Sequence, residues 1–370
     1  MLKKYEDFLD SIRDTDEFRK LYKIDSSYID FSSNDYLNLS NNKDIINAGY
    51  LVSKKYGAGS TGSRLLSGNK DIYDEFERLI SCDKNMENTL IFGSGYQANF
   101  GMIDCLADKK TLVLFDKLNH ASLYRGVFSS GARLIRYNHI DYDELENILE
   151  ENKDYDNKII VSETVFGMDG DIADIEKLSY LSDKYDTILY LDEAHATGLY
   201  GPYGYGISTS FKNLSSRRTI VMGTFSKAIG CFGAYVSSSN LIYNFIINKC
   251  NSFIYSTSLS PFCVGASYCA WKMIRGMGSE RDNLLQRSDI LRRKIKDMGY
   301  NVIGNKTNII PIIMENTKSM MNLKNRFMEK KIIVSGIRRP TSKTPRIRIA
   351  LNLSHTDENI AQILDILKEG

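Results

Sequence analysis

The chain has 370 residues, 42% of them hydrophobic and 25% charged, with a formal net charge of +2. That is ordinary globular composition, long enough for one large domain and a smaller one. Lysine and arginine are spread along the chain, which argues against nucleic acid or an anionic membrane surface as partner, and the longest apolar stretches, such as "TLVLF" and "CVGASYCAW", are too short to span a bilayer.

In chain order, the first predicted element is "MLKKYEDFLDSIRD". It reads as an amphipathic helix with Tyr5, Phe8, Leu9 and Ile12 on one face, and not as a signal peptide, because no apolar region follows its basic start. From about residue 85 to 240, short β-rich runs alternate with helical patterns. "NTLIFG" precedes a helix from about Tyr96, "TLVLFD" precedes "HASLYRGVF", "ARLIRY" precedes "DYDELENILEEN", and "KIIVSETVF" precedes "DIEKLSYLSDKY"; "TILYLDEAH" and "RRTIVMGTFSK" follow. The alternation predicts an α/β fold whose large domain has a mostly parallel, mixed sheet between layers of helices. After about residue 260, helical segments surround "NIIPIIM", "IIVSGI" and "PRIRIAL", which predicts a smaller α+β C-terminal domain. The expected division is an arm over 1–40 that packs on something else, a large domain over 41–260 and a small domain over 261–370.

Open sheets of this kind bind ligands at the carboxyl ends of their strands. Chemistry-bearing residues do follow each apolar run: Gly93 to Gly95, Asp116 and His120, Glu163, Asp192 and His195, Thr224 and Lys227. Two glycine motifs compete for attention. "GAGSTG" (57–62) is a complete GxGxxG but follows no strand, whereas "GSGYQA" (93–98) follows one and has Asp116 about 20 residues on. That fingerprint keeps a nicotinamide-dependent oxidoreductase open as a reading. "LDEAH" (191–195) spells the acidic box of a helicase-type ATPase, but no GxxxxGK[ST] precedes it. The six cysteines form no CxxC pair and are expected to be reduced thiols of a cytosolic protein; the four histidines lie in no metal-binding spacing, so no metal is expected.

Singly, these residues have plain readings. His120 fits a satisfied core histidine, Asp192 an N-cap, Glu163 a solvated strand-end acid and Lys227 a loop lysine in an ion pair. Together they are the parts that pyridoxal phosphate requires. Helix-end N–H groups at Gly95 and Tyr96 suit a phosphate. A carboxylate at Asp192 keeps a pyridinium nitrogen protonated, the ring of His120 stacks, and a partly dry Lys227 serves as the amine for an aldehyde.

The sequence resembles the α-oxoamine synthases, pyridoxal-phosphate enzymes of fold type I, over nearly its whole length. The likeness runs through "FSSNDYLNLS", "YGAGSTGSRLLSGN", "FGSGYQANFG", "DKLNHASLYRG", "ETVFGMDGDIADI", "LDEAHATGLYGPYGYG", "GTFSKAIG", "FIYSTSLSP" and "RIRIALNLSHT". The resemblance implies a decarboxylative condensation of an amino acid with an acyl thioester, carried by coenzyme A or a carrier protein, in a cytoplasmic homodimer with shared active sites. It implies that Lys227 binds the cofactor aldehyde, Asp192 pairs with the ring nitrogen, His195 bonds the phenolic oxygen and His120 stacks and orients the acyl group. Gly95, Tyr96 and Thr224 would hold the phosphate, with Ser256 and Thr257 reaching in from a second subunit. Arg348, assisted by Asn34, would clamp the amino-acid carboxylate, and Arg19 and Thr341 would meet the acyl substrate. Within the family, "IRRPTSKTPRIRI" resembles the enzymes that use L-alanine and a pimeloyl thioester; glycine with acetyl or succinyl donors, and serine with palmitoyl, stay open. Three departures stand out: Gly167 replaces a serine expected to bond the phenolic oxygen, Asn38 replaces a glycine, and Arg339 replaces a second proline in a segment two residues short.

Overall fold

The computed structural model describes residues 2–15, 17–211, 214 and 216–369. Its strands, in order, are β1 (Ile29–Asp30), β2 (Asn88–Phe92), β3 (Thr111–Asp116), β4 (Arg133–Tyr137), β5 (Asn157–Glu163), β6 (Ile188–Asp192), β7 (Thr219–Thr224), β8 (Ala234–Ser238), β9 (Ile309–Ile313), β10 (Ile332–Ile333), β11 (Ser335–Ile337) and β12 (Arg346–Ala350). The chain forms two compact units. One comprises Leu37–Phe166 and Ile172–Arg281; the other comprises Met1–Tyr36, Gly167–Asp171 and Asp282–Gly370.

The larger unit is built on a seven-stranded sheet of order β2-β8-β7-β6-β5-β3-β4. All neighbours are parallel except β8, which runs antiparallel to both β2 and β7. This is the fold-type-I arrangement, with the mixed, mostly parallel sheet that the sequence predicts. Alternate residues of each strand enter opposite cores. Val113 and Phe115 join Met102, Leu123 and Val127 on one face; Leu112 and Leu114 join Leu145, Leu149 and Leu178 on the other. Both faces are covered, which is why the strands read as unbroken apolar runs rather than as an alternation. The flanking helices are started by side chains that accept from their first turn: Ser94, His120, Asp141 and Asp174. After β3 the chain steps outward to β4, then returns to β5 and proceeds through β6 to β7, leaving a crevice between the carboxyl ends of β3 and β5. Asn119 ties the two ends together. Its Nδ2 donates to the Val161 carbonyl at 2.7 Å and its Oδ1 accepts from the Glu163 N–H at 3.0 Å.

The smaller unit carries the antiparallel sheet β11-β12-β9 and the parallel pair β1-β10. The helix Thr317–Glu329 packs on this side of the chain through Met320, Leu323 and Phe327, and opens with a capping box between Asn316 and Ser319. The N-terminal helix forms over Lys3–Asp14 as predicted, and much of its apolar face is uncovered: Tyr5 is 57% and Phe8 61% exposed. Among the described residues no helix is long and apolar enough to cross a membrane.

Candidate active site

A cavity of about 190 Å3 opens at the carboxyl ends of the strands of the larger unit. Gly95, Tyr96, His120, Asp192, His195, Thr224 and Lys227 all line it, although 132 positions separate the first from the last (227 − 95). Glu163 lines it as well and is buried, 6% exposed, so it is not a solvated strand-end acid.

Each wall has a local cause. β2 ends at Phe92, and the helix Gly95–Leu106 starts three residues on, capped by Ser94 Oγ, which accepts from Gln97 N–H at 3.2 Å. The N–H groups of Gly95 and Tyr96 lie in the first turn, outside the helix's own ladder. They give the cavity a patch of positive potential suited to a phosphate. Thr224, at the end of β7, stands opposite: a Cβ built on Gly95 would touch its side chain at 3.7 Å. The Thr224 hydroxyl donates to the Gly233 carbonyl at 2.8 Å and lies 2.8 Å from Ser226 Oγ. Ser226 is an exposed hydroxyl on the cavity wall that sequence reasoning did not single out.

Asp192 ends β6 and is 3% exposed. Its Oδ1 accepts from the Ala194 N–H at 2.8 Å and its Oδ2 from Asn99 Nδ2 at 2.7 Å. Both oxygens are fixed, and each retains acceptor capacity for a third donor. His120 caps the helix Ala121–Ser130 at the cavity's open side, held by Ser122. Burial of the ring lowers its pKa below the ordinary histidine value; Asp192 pulls it back up and Lys227 pushes it further down. Lys227 is half-buried.

Behind Asp192 lies an ion pair with no counterpart in the sequence reading. Glu193 turns away from the cavity and meets Lys84, and both side chains are 0% exposed. Glu193 Oε1 accepts from the Ser208 N–H at 2.7 Å, and Lys84 Nζ also donates to the Tyr205 carbonyl at 2.8 Å and to Ser208 Oγ at 2.9 Å. Burial drives the lysine pKa down against the opposing pull of Glu193. Gly206 leaves room for the pair: it has φ +104°, and a Cβ there would fall 2.1 Å from Glu193 Oε2.

The remaining predicted residues are not among those that line this cavity. Ser256 and Thr257 do not line this cavity; Thr257 is exposed and bridges Ser63. In the smaller unit, Arg348 is 3% exposed and joined to Asn34. Its Nε donates to the Gly167 carbonyl at 2.7 Å, and its Nη2 donates to Asn34 Oδ1 at 3.0 Å and to Tyr36 Oη at 3.2 Å. Arg19 lines a separate groove of about 450 Å3 with Phe8, Ile12, Arg339, Pro340 and Lys343. Thr341 is exposed, its N–H donating to the Arg338 carbonyl at 3.0 Å, and it is not part of that groove's lining.

The donor set of the cavity fits pyridoxal phosphate: a helix N-terminus for the phosphate, an acceptor-only carboxylate for the ring nitrogen, a flat ring and a primary amine. Among the described residues no cluster suited to a metal ion is found.

Comparison with known proteins agrees with this. Residues 26–367 match the family model of aminotransferase class I and II. A Bacillus cereus (strain G9842) chain that carries the provisional name 8-amino-7-oxononanoate synthase is 39% identical over 339 residues, covering 91% of this chain and 86% of that one. A Bacillus anthracis chain with the same provisional name is 37% identical over 93% of this chain and 88% of its own length. Among solved structures, Sphingomonas wittichii serine palmitoyltransferase superposes with a TM-score of 0.92 at 26% identity, covering 100% of this chain and 97% of that one. A structure of serine palmitoyltransferase with a pyridoxal-phosphate internal aldimine scores 0.92 at 25% identity, covering 100% and 98%. The 8-amino-7-oxononanoate synthase of Francisella tularensis scores 0.81 at 30% identity, covering 93% and 98%.

Proposed function

The chain belongs to the aminotransferase class I and II family as an α-oxoamine synthase with pyridoxal phosphate as its cofactor, and on that premise we propose that it joins L-alanine to a pimeloyl thioester. The products are 8-amino-7-oxononanoate, carbon dioxide and the free thiol of coenzyme A or of an acyl carrier protein. The observation that carries the chemistry is the convergence of Lys227, Asp192 and His120 with a helix N-terminus on one cavity. The choice of alanine and pimelate is supported by the name that the curated relatives share.

When bound, pyridoxal phosphate supplies a sink for the charge that develops on the amino-acid α-carbon. The chain's own groups do the rest. Gly95 and Tyr96 N–H groups would hold the phosphate, and Asp192 would accept from the ring nitrogen and keep it protonated. Lys227 takes the α-proton through Nζ, which requires the neutral amine. His120 would stack on the ring, and His195 would donate to its phenolic oxygen. Arg348, its fork set by Gly167, Asn34 and Tyr36, binds the amino-acid carboxylate. The reaction forms one bond, from the α-carbon to the acyl carbonyl carbon. The thiolate leaves, the carboxylate departs as carbon dioxide, and one proton returns to the α-carbon.

The groove around Arg19, where Arg19, Arg339 and Lys343 outnumber the one acid, Glu17, supports an acyl donor that carries negative charge. Ser256 and Thr257, outside the cavity beside a Tyr255 that is 82% exposed, support a second copy of the chain as the partner whose site they complete. A second reading, serine with a palmitoyl thioester, is favoured by the TM-score of 0.92 to serine palmitoyltransferases. Thiol release measured with alanine, glycine and serine against pimeloyl-, acetyl-, succinyl- and palmitoyl-coenzyme A separates these. Release with alanine and pimeloyl-coenzyme A alone is expected; release with serine and palmitoyl-coenzyme A alone would overturn the reading in favour of the second.

A further inference from the structure

Hydrogen-bond direction can be followed atom by atom along one wall of the cavity. A carboxylate oxygen only accepts, so the Asn99 atom 2.7 Å from Asp192 Oδ2 is the amide nitrogen Nδ2. Asn99 Oδ1 then faces Tyr190, whose hydroxyl donates to it at 2.9 Å. The second hydrogen of Nδ2 goes to Ser122 Oγ at 3.0 Å. Ser122 Oγ accepts there and lies 2.7 Å from His120 Nδ1, with its own hydrogen free to point to that nitrogen. The main-chain N–H of Ser122, a donor only, reaches the same Nδ1 at 3.3 Å. A main-chain donor on the ring nitrogen requires a lone pair there, and an unprotonated Nδ1 makes the Ser122 hydroxyl the second donor.

We infer that Asn99 and Ser122 are positioning residues that hold His120 as the neutral tautomer protonated on Nε2, so that the ring keeps a hydrogen-bond donor on its outer nitrogen. The direction of the relay is set at its two ends, by Asp192, which cannot donate, and by the Ser122 main-chain N–H, which cannot accept. Water is kept from its inner members, since Tyr190 and Ser122 are 0%, Asn99 2% and Asp192 3% exposed, and only the His120 end of the relay is exposed. A chain of bonds in such surroundings strengthens each of its members. The lowered pKa of His120 is in keeping with a neutral ring. The inference rests on the proposed function in one respect only: that reading makes the partner of the Nε2 hydrogen a substrate oxygen that gains negative charge, where a fixed donor contributes most.

The test is a long-range proton–nitrogen spectrum of holoenzyme carrying 15N-histidine, with no substrate present. The His120 signals are assigned by their loss in His120→Asn. The expected wild-type pattern is a protonated Nε2 and an unprotonated Nδ1 shifted by a strong hydrogen bond. In Ser122→Ala the Nδ1 resonance moves toward the unbonded value, in Ser122→Thr it returns, and in Asn99→Ala it moves the same way by less. A wild-type ring protonated on Nδ1, or an Nδ1 resonance unmoved in Ser122→Ala, would overturn the inference. Because the spectrum needs no turnover, its outcome is independent of which amino acid and acyl donor the enzyme uses.

Discussion

Arg348 Nε donates to the carbonyl oxygen of Gly167 at 2.7 Å. The bond uses the backbone of Gly167, so the missing serine side chain at that position leaves it intact. With Nη2 engaged by Asn34 and Tyr36, the guanidinium is held at three points, and among the described residues no protein acceptor is recorded for its Nη1 hydrogens. A planar fork held this way suits a carboxylate, and a lysine ammonium cannot reproduce it. Arg348→Lys is expected to raise KM for the amino acid by about 10- to 100-fold, the worth of one charge-assisted bond, with a smaller change in kcat. Initial rates across amino-acid concentration check this; an unchanged KM would remove Arg348 from the carboxylate site.

Asp192→Asn places an amide where Asn99 Nδ2 and the Ala194 N–H both donate. On the proposed reading this removes the charge that would hold the ring nitrogen protonated and leaves the groups that would hold the phosphate and the aldehyde in place. Cofactor absorbance is expected to persist and kcat to fall by about 100-fold or more. Turnover equal to wild type would exclude the role given to Asp192.

Lys84→Met removes one member of a fully buried pair and leaves the Glu193 carboxylate without its cation. The cost is expected at about 3–5 kcal/mol, read as a lower unfolding midpoint of the holoenzyme. Adding Glu193→Gln should recover part of the loss, because no unpaired charge then remains. Equal midpoints for wild type and Lys84→Met would show that the pair contributes nothing to stability.

His355 gives the smaller unit an acid sensitivity. Its ring stacks on Phe31 at 3.7 Å, accepts from the Asn352 N–H on Nδ1 at 3.1 Å and lies 3.1 Å from the Asp30 carbonyl through Nε2. Burial lowers its pKa to about 4; Asp30 opposes that shift and Arg287 adds to it. The unfolded chain takes up this proton near the ordinary value of about 6.5, well before the folded one does. Stability is therefore full above about pH 6.5 and is lost as pH falls toward 4, by about 3 kcal/mol in all. The unfolding midpoint should drop between pH 7 and pH 4.5 in wild type and drop less in His355→Gln. Equal slopes would refute the assignment.

The parts of the site that could be read from the sequence are those announced by local patterns. Gly95, Asp192 and Lys227 each follow an apolar strand, and parallel strands place such residues at one edge. Asn99 and Ser122 carry no such signal. Each is an unremarkable polar residue inside a helical stretch, and their meaning appears only when the sheet brings Asp192, 93 positions from Asn99, within 2.7 Å. Glu193 was hidden for a related reason: in "LDEAH" it looks like part of the acid box, whereas its side chain points to Lys84 on another helix. Strand β8 escaped notice because "AYVSS" is short and three of its five residues are serine or alanine, with burial supplied by its two neighbours rather than by its own composition. Arg348 stood out in its motif, but its three anchors come from segments at 34, 36 and 167, which no spacing rule connects.

The most direct measurement is to reduce the holoenzyme with sodium borohydride and map the peptides by mass spectrometry. The account predicts the phosphopyridoxyl mass on Lys227, with the label absent in Lys227→Ala. Label on another lysine, or on none in a protein that binds the cofactor, would contradict it.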